Sequence, residues 1–344
     1  METTTKRLSD LNPYIRQDKL LWNAIALLYI VGGYILGVKL LFAVSIWINI
    51  FGVFLLSHAL FLSCVITHEC IHSTLFAQQR WNEWVGTLML WLNGCCYARF
   101  RDLTRLHIAH HVERADFPPV NLAEFIGKLP QWAQKTIIML EWLYFPAVVY
   151  VMQWYTLTKP FWYDKRQDER LRTSVILLVR GLWFTGMAIA SWKAVLLYFL
   201  AYTGMHLQRQ FMDCFFHTYE SFGDRMDTPQ RDWQYEQRNT FSCLLSQKYQ
   251  WLNLLILNFG YHNAHHVVMR CPWHSLPELD QELFQIQPQA ADHRFTVRQV
   301  WLNYHRYRVS RLLSGHGYVI DDQGNYSLEF FQGDVGVGFL VLPV

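Results

Sequence analysis

The sequence predicts an all-α membrane protein, with about four transmembrane helices under a cytoplasmic helical cap that carries a histidine-rich di-metal site. Three observations predict it. Uncharged apolar stretches of spanning length recur from residue 20 onward. Aromatic residues make up 16% of the 344, with fifteen Trp, against only 17% charged residues, and mean hydropathy is mildly positive. Three histidine clusters lie between or after the apolar stretches.

Residues 1–19 form a polar leader with no small-residue cleavage site, so they read as a cytoplasmic N-terminal segment rather than a secretory signal. Leu20 to Val38 is an uncharged run of 19 residues, which at 1.5 Å each matches a hydrocarbon core. Leu40 to Ile66 is uncharged over 27 residues, so its helix should overhang the bilayer by roughly 10 Å. That overhang is expected to deliver His68 and His72 into water. His58 falls within the buried part and reads as a helix-to-helix hydrogen bond.

Trp84 to Tyr97 is apolar but only 14 residues, suited to a re-entrant or interfacial helix. Thr136 to Leu157 is apolar yet holds Glu141, Gln153 and a Phe145-Pro146 pair, and reads as lying along the membrane. Ser174 to Ala190 and Ala194 to His206 form a hairpin of spans turning near Ser191 to Lys193, with Arg180 placed to snorkel. Met226 to Gln250 is polar and soluble, and Tyr249 to Phe259 is a short apolar approach to the last cluster. The membrane domain therefore covers residues 20–285 and a soluble C-terminal cap residues 286–344. Gly333-Asp-Val-Gly-Val-Gly is too irregular for a dinucleotide loop, and no internal repeat is present.

Loop charge sets the orientation of this multi-pass chain. Lys6, Arg7, Arg16, Lys19, Arg99, Arg101, Arg105, Arg114 and the basic residues of 159–172 fall on one side, and Lys39 and Lys193 on the other. By the positive-inside rule the histidine clusters face the cytoplasm. A net charge of +3 is too small to suggest a nucleic-acid partner. Seven Cys, an odd number without CxxC spacing, read as reduced thiols.

The clusters are His68-Glu-Cys-Ile-His72, His107-Ile-Ala-His110-His111 and His262-Asn-Ala-His265-His266. On a helix, positions three and four apart share a face, so each cluster aims its imidazoles in one direction. Together they offer eight histidines, whereas a structural zinc site uses four ligands and a catalytic one three plus water. Eight suffice for two metals, and imidazole suits iron, copper, zinc and nickel alike. Asp213-Cys-Phe-Phe-His217 emerges from the last span, and i,i+4 spacing places Asp213 and His217 on one helix face. His217 is then a candidate ninth ligand, the bland reading being a helical ion pair with Asp213.

These three boxes, with two spans before the first and two between the second and third, resemble the membrane fatty acid desaturase family. The resemblance runs from about residue 20 to 285 and includes the tail of the third box, HHVVMRCPWHSLPEL. It implies a centre of two non-haem Fe ions that uses O2 as co-substrate to remove two hydrogens from an unactivated acyl chain. Carried over by position, the ligands are His68, His72, His107, His110, His111, His262, His265 and His266. The extra histidine of stearoyl-type members, four residues after an asparagine that reaches iron through water, is similar to His217 with Asp213. A carboxylate in place of that amide is a departure, and gives Asp213 an orienting or tuning role in catalysis. No HPGG haem motif and no flavin or Fe–S fingerprint is present. Electrons are therefore expected from a separate donor such as cytochrome b5, ferredoxin or rubredoxin with a reductase. The acyl substrate would arrive as acyl-CoA, on acyl carrier protein or lipid-linked, at a site bordered by membrane lipids.

Other readings share the residues. A hydroxylase, acetylenase or ketolase would use the same scaffold and differ only in the fate of the carbon radical. HECIH also fits the HExxH of a zinc intramembrane protease, which would leave six clustered histidines unemployed. A membrane metal carrier would want polar residues inside the spans, where His58 is the main candidate.

Overall fold

The computed structural model describes residues 13–15, 19–117, 122–213, 216–219, 222, 225–286, 293–309 and 312. The first two helices, α1 (Leu20–Leu41) and α2 (Ile46–Ile71), form an antiparallel hairpin. It closes tightly at glycines. A Cβ on Gly37 would lie 2.9 Å from the Leu56 Cβ, and one on Gly52 2.8 Å from the Leu40 Cβ. The uncharged run from residue 40 is therefore not one helix. The chain turns at 42–45, and the Asn49 amide donates to the carbonyls of Leu40, Leu41 and Ala43 at 2.8, 3.2 and 3.1 Å. Lys193, from the far hairpin turn, donates to Asn49 Oδ1 at 2.9 Å and to the Ala43 carbonyl.

Next come α3 (Gln79–Leu92) and α4 (Phe100–Glu113), joined through Gly94, whose φ is +82°. The 14 residues of α3 are too few to cross a bilayer, and Trp81, Trp84 and Leu88 are exposed along it, as an interfacial helix requires. After α5 (Leu122–Gly127), the stretch read as one membrane-lying segment divides into α6 (Gln131–Trp142) and α7 (Ala147–Trp162). The break falls at Tyr144, with φ +60°, before Phe145-Pro146. Proline has no N–H to continue the ladder and disfavours helical geometry in the residue before it.

The second long hairpin is α8 (Arg170–Ala190) and α9 (Trp192–Asp213). Arg180 reaches the Trp91 carbonyl at the end of α3. Among the described residues three helical stretches are long and apolar enough to cross a membrane: Leu20–Leu41, Ile46–Ile71 and Asp164–Ala190. The fourth expected crossing lies within α9. That helix has the same 22 residues as α1, but its last two turns carry His206, Gln208, Arg209, Gln210 and Asp213.

Short elements follow: α10 (Trp233–Arg238), β1 (Ser242–Leu244), a 3-10 segment (Gln250–Ile256), α11 (His262–Val267), α12 (Leu276–Ile286), β2 (Arg294–Thr296) and α13 (Val297–Tyr307). The helical expectation omitted the small sheet. β1 and β2 run parallel, with Ser242 opposite Arg294 and Leu244 opposite Thr296. This pairing ties the described part of the expected C-terminal cap into the body. The Tyr304 hydroxyl also donates to Gln210 on α9 at 3.2 Å, and Arg308 donates to the carbonyls of Glu141 and Trp142 at 3.2 and 2.8 Å. The Gly333 segment lies outside the described residues. The six described cysteines are buried and form no disulfide. One apolar core runs from α1 and α2 through α9 to Phe216, Phe241 and Trp273.

Candidate metal centre

Four stretches of chain deliver nine imidazoles to one place. His68 sits in the last turn of α2 and His72 at its C-cap; there the Ser73 backbone turns left-handed, and the Thr74 amide bonds the Glu69 carbonyl at 3.1 Å. His107, His110 and His111 lie on α4, and His262, His265 and His266 on α11, so i,i+3 and i,i+4 spacing does aim each set together. His68 and His72 do not stand in water. They are 2% and 3% exposed, because α4 and α11 close over the end of α2, with the His68 ring 4.7 Å from that of His107 and 4.6 Å from that of His265.

His217 arrives differently from the sequence expectation. α9 ends at Asp213, and His217 lies in an extended segment bridged antiparallel to Thr240. Asp213 and His217 therefore do not share a helix face. Asp213 instead has a carboxylate oxygen 4.0 Å from Arg209, one turn back on α9. His217 still joins the others, with its Nε2 3.1 Å from His110 Nε2 and 2.7 Å from His262 Nε2.

Two groups emerge in which the ligand atoms lie within 4.8 Å of one another: His68, His72, His107, His111 and His265 in one, and His110, His217 and His266 in the other. His262 adjoins the second group through His217. Asp213 belongs to neither. Within the first group, His111 Nε2 is 3.2 Å from His107 Nε2 and 3.3 Å from His265 Nε2. Ligands about 2.1 Å from one ion are about 3.0 Å apart at right angles and about 3.4 Å apart at tetrahedral angles, so these spacings suit shared metals.

Donor chemistry agrees. Buried polar atoms normally have partners, yet both ring nitrogens of His72, Nδ1 of His111, His262 and His265, and Nε2 of His266 are buried with no protein hydrogen bond. Burial, reinforced by neighbouring imidazoles, holds His72, His107, His111, His217, His262, His265 and His266 well below the ordinary histidine range. Neutral rings with open lone pairs are what a cation needs.

Carboxylates stand behind the second group. The Nδ1 atom of His110 lies 2.8 Å from Asp116, and that of His266 lies 3.2 Å from Glu236 Oε1. Arg114 Nε donates to the other Glu236 oxygen at 3.0 Å, while its Nη1 donates to the Arg231 carbonyl at 2.8 Å. Burial raises the Glu236 carboxyl and Arg114 opposes that shift. Carboxylate-to-imidazole bonds of this kind fix the tautomer and leave Nε2 for a metal. Asp116 and Glu236 carried no site signal in the sequence, and Arg114 read there as a positive-inside loop charge beside the second cluster. Asp116 follows His110 by only six residues, but Glu236 is 30 residues from His266 and reads as an ordinary charge in a polar stretch.

Glu69, the general base of the protease reading, has its Oε1 3.6 Å from His68 Nδ1 and its other oxygen held by the protein. Its Oε2 accepts from Thr74 Oγ1 at 2.6 Å and from the Trp273 backbone amide at 3.1 Å. Trp273 in turn donates through its indole to Asn23 at 2.9 Å, so the tail of the third box is sewn to α1 and α2.

Fold and site together define a class: a helical membrane protein with a polyhistidine centre capable of binding metal. The model of the family described as fatty acid desaturase matches residues 45–301, about three quarters of the chain. The chain belongs to that family, and is accordingly an oxidoreductase of the fatty-acid-modifying kind. Comparison with the curated proteins returns no match.

Proposed function

We propose that the protein is a membrane-bound fatty acyl desaturase that holds two non-haem iron ions on nine histidines. The observation that carries this reading is the pair of adjoining imidazole groups, the first fully buried, with carboxylates behind the second. His68, His72, His107, His111 and His265 would hold one ion, and His110, His217, His262 and His266 the other. Bound there, the iron supplies the redox chemistry that couples O2 reduction to C–H cleavage.

The balanced reaction removes two hydrogens from adjacent methylenes and reduces O2 to two waters with two electrons and two protons from outside. The chain's own residues position and exclude water. Glu236 and Asp116 set the tautomers of His266 and His110. Phe216 stacks on His262 with ring centres 4.0 Å apart, and Phe259 packs 5.3 Å from His68, giving the centre apolar walls. Positive loops argue for a cytoplasmic site, reached by a separate reductase system and by an acyl group on CoA, carrier protein or lipid. The gathering of His107, His110, His111, His265 and His266 beside His68 and His72 argues against a protease, which would leave them unused.

The test is mass analysis of total fatty acids after expression in a host lacking the activity. A product lighter by two hydrogens, absent in a His72→Ala control, supports desaturation. A product heavier by one oxygen reassigns the chain to hydroxylation, and unchanged fatty acids with intact protein would overturn the proposal.

A further inference from the structure

His58 stands ten residues before His68 on α2 and twelve after its start, so by helix rise it lies about 18 Å from one end and about 15 Å below the metal centre. An ionisable side chain at such depth is costly unless partnered. Both of its ring nitrogens are engaged. Nδ1 lies 2.7 Å from the Tyr29 hydroxyl on α1, and Nε2 lies 2.7 Å from the backbone carbonyl of Leu255. A carbonyl can only accept, so Nε2 carries the proton, and in the neutral ring Nδ1 accepts from Tyr29. The helix-to-helix hydrogen bond expected of His58 is thus present, together with a second bond to a segment 197 residues away.

That second partner belongs to the 3-10 segment Gln250–Ile256, which exposes Trp251, Leu254 and Leu255 and lies against the spanning hairpin. Irregular backbone at membrane depth persists only where its polar groups are met by protein. The segment leads straight into the third box. Leu257 and Asn258 turn left-handed with φ of 46° and 55°, and Asn258 is held by a bond from its Nδ2 to the Trp273 carbonyl at 3.0 Å. Phe259 then packs between His68, at 5.3 Å, and Phe216, at 5.2 Å, and Phe216 carries the His262 ring. At Gly260 a Cβ would meet the Cys243 carbonyl at 2.1 Å, so this link has no room to take up a shift of the segment.

We infer that His58 is a positioning residue for the metal centre: by clamping Leu255 to Tyr29 it fixes the segment that sets where the third histidine box stands. This rests on the metal-binding reading above.

The test titrates purified, detergent-solubilised, metal-free protein with Fe(II) under anaerobic conditions, and with Co(II) to record the ligand-field spectrum. His58→Phe keeps the ring volume and loses both bonds. Its affinity is expected to fall about 10- to 100-fold, as for other residues that orient ligands, with a changed Co(II) spectrum. His58→Gln, which can still donate to Leu255 and accept from Tyr29, is expected to restore most of the affinity and the wild-type spectrum. Wild-type affinity and spectrum in His58→Phe would overturn the inference, as would a His58→Gln variant as weak as His58→Phe. A purely structural role would lower thermal stability and leave the spectrum of the folded fraction unchanged. Should His58→Phe not be recovered, Tyr29→Phe decides with the same readouts, weaker binding supporting the clamp and unchanged binding overturning it. Failure of the wild-type protein to bind either metal would instead strike the metal-binding reading itself.

Discussion

Glu236→Ala removes the one side chain that joins His266 to Arg114. Glu236 is 5% exposed at its side chain, with one oxygen 3.2 Å from His266 and the other 3.0 Å from Arg114. Two consequences separate. Losing the carboxylate frees the His266 ring to rotate and lowers its basicity, an effect worth about 10- to 100-fold in metal affinity. At about 1.4 kcal/mol per decade this is about 1.4 to 2.8 kcal/mol of binding. The fold pays separately for a half-buried guanidinium left without its carboxylate. Breaking a buried pair costs about 3 to 5 kcal/mol. Arg114 is 24% exposed at its side chain and keeps its 2.8 Å bond to the Arg231 carbonyl, which points to the lower end of that range. Glu236→Gln should fall between wild type and Ala. Its single carbonyl oxygen can serve His266 or Arg114 but not both. Anaerobic Fe(II) titration measures the first effect, and thermal unfolding of the metal-free protein the second. Wild-type metal affinity in Glu236→Ala would refute the claim that Glu236 orients a ligand.

Further outcomes follow from the same geometry. His217→Ala should lower bound metal and abolish turnover, whereas Asp213→Ala should leave metal content within about twofold, because Asp213 pairs with Arg209 outside both groups; equal losses in elemental analysis would return Asp213 to the site. Acid should strip the metal. The buried histidines titrate well below their unfolded value of about 6.5, so their contribution is complete above that pH and is lost progressively as pH falls from there toward the depressed folded-state values. Metal retained on desalting should therefore hold from about 8 down to about 6.5 and fall only at lower pH, and loss already under way between about 8 and 7 would contradict this. Gly260→Ala should lower thermal stability by about 1 to 3 kcal/mol through overpacking and weaken metal binding with it, since its Cβ would displace the Cys243 carbonyl of β1. A variant as stable as wild type would show that the contact relaxes freely.

Much of the site was legible because its signal is local. HECIH, HIAHH and HNAHH aim their imidazoles within each set by helical spacing, while the meeting of the three sets is set by how α2, α4 and α11 pack. Of the two grounds for His217, the resemblance to the extra histidine of stearoyl-type members is untouched, but the i,i+4 argument assumed that α9 continues past Asp213, whereas His217 pairs with Thr240 in an extended segment. Burial of His68 and His72 was missed because the closing elements, α4 and α11, lie far off in sequence. The turn at 42–45 was hidden by its own apolarity, and the bonds that hold it come from Asn49 and Lys193. The break between α6 and α7 did carry a local signal in Phe145-Pro146. The β1–β2 pair, Glu236 and Arg114 depend on contacts between distant segments, and no pattern in a single sequence marks those.

Metal analysis of the purified protein tests the central claim most directly. Iron content with paired-iron Mössbauer spectroscopy should give two iron ions per chain in the wild type, falling in both His72→Ala and His217→Ala, which remove one ligand from each group. One zinc per chain with no iron, unchanged in His217→Ala, would contradict the account.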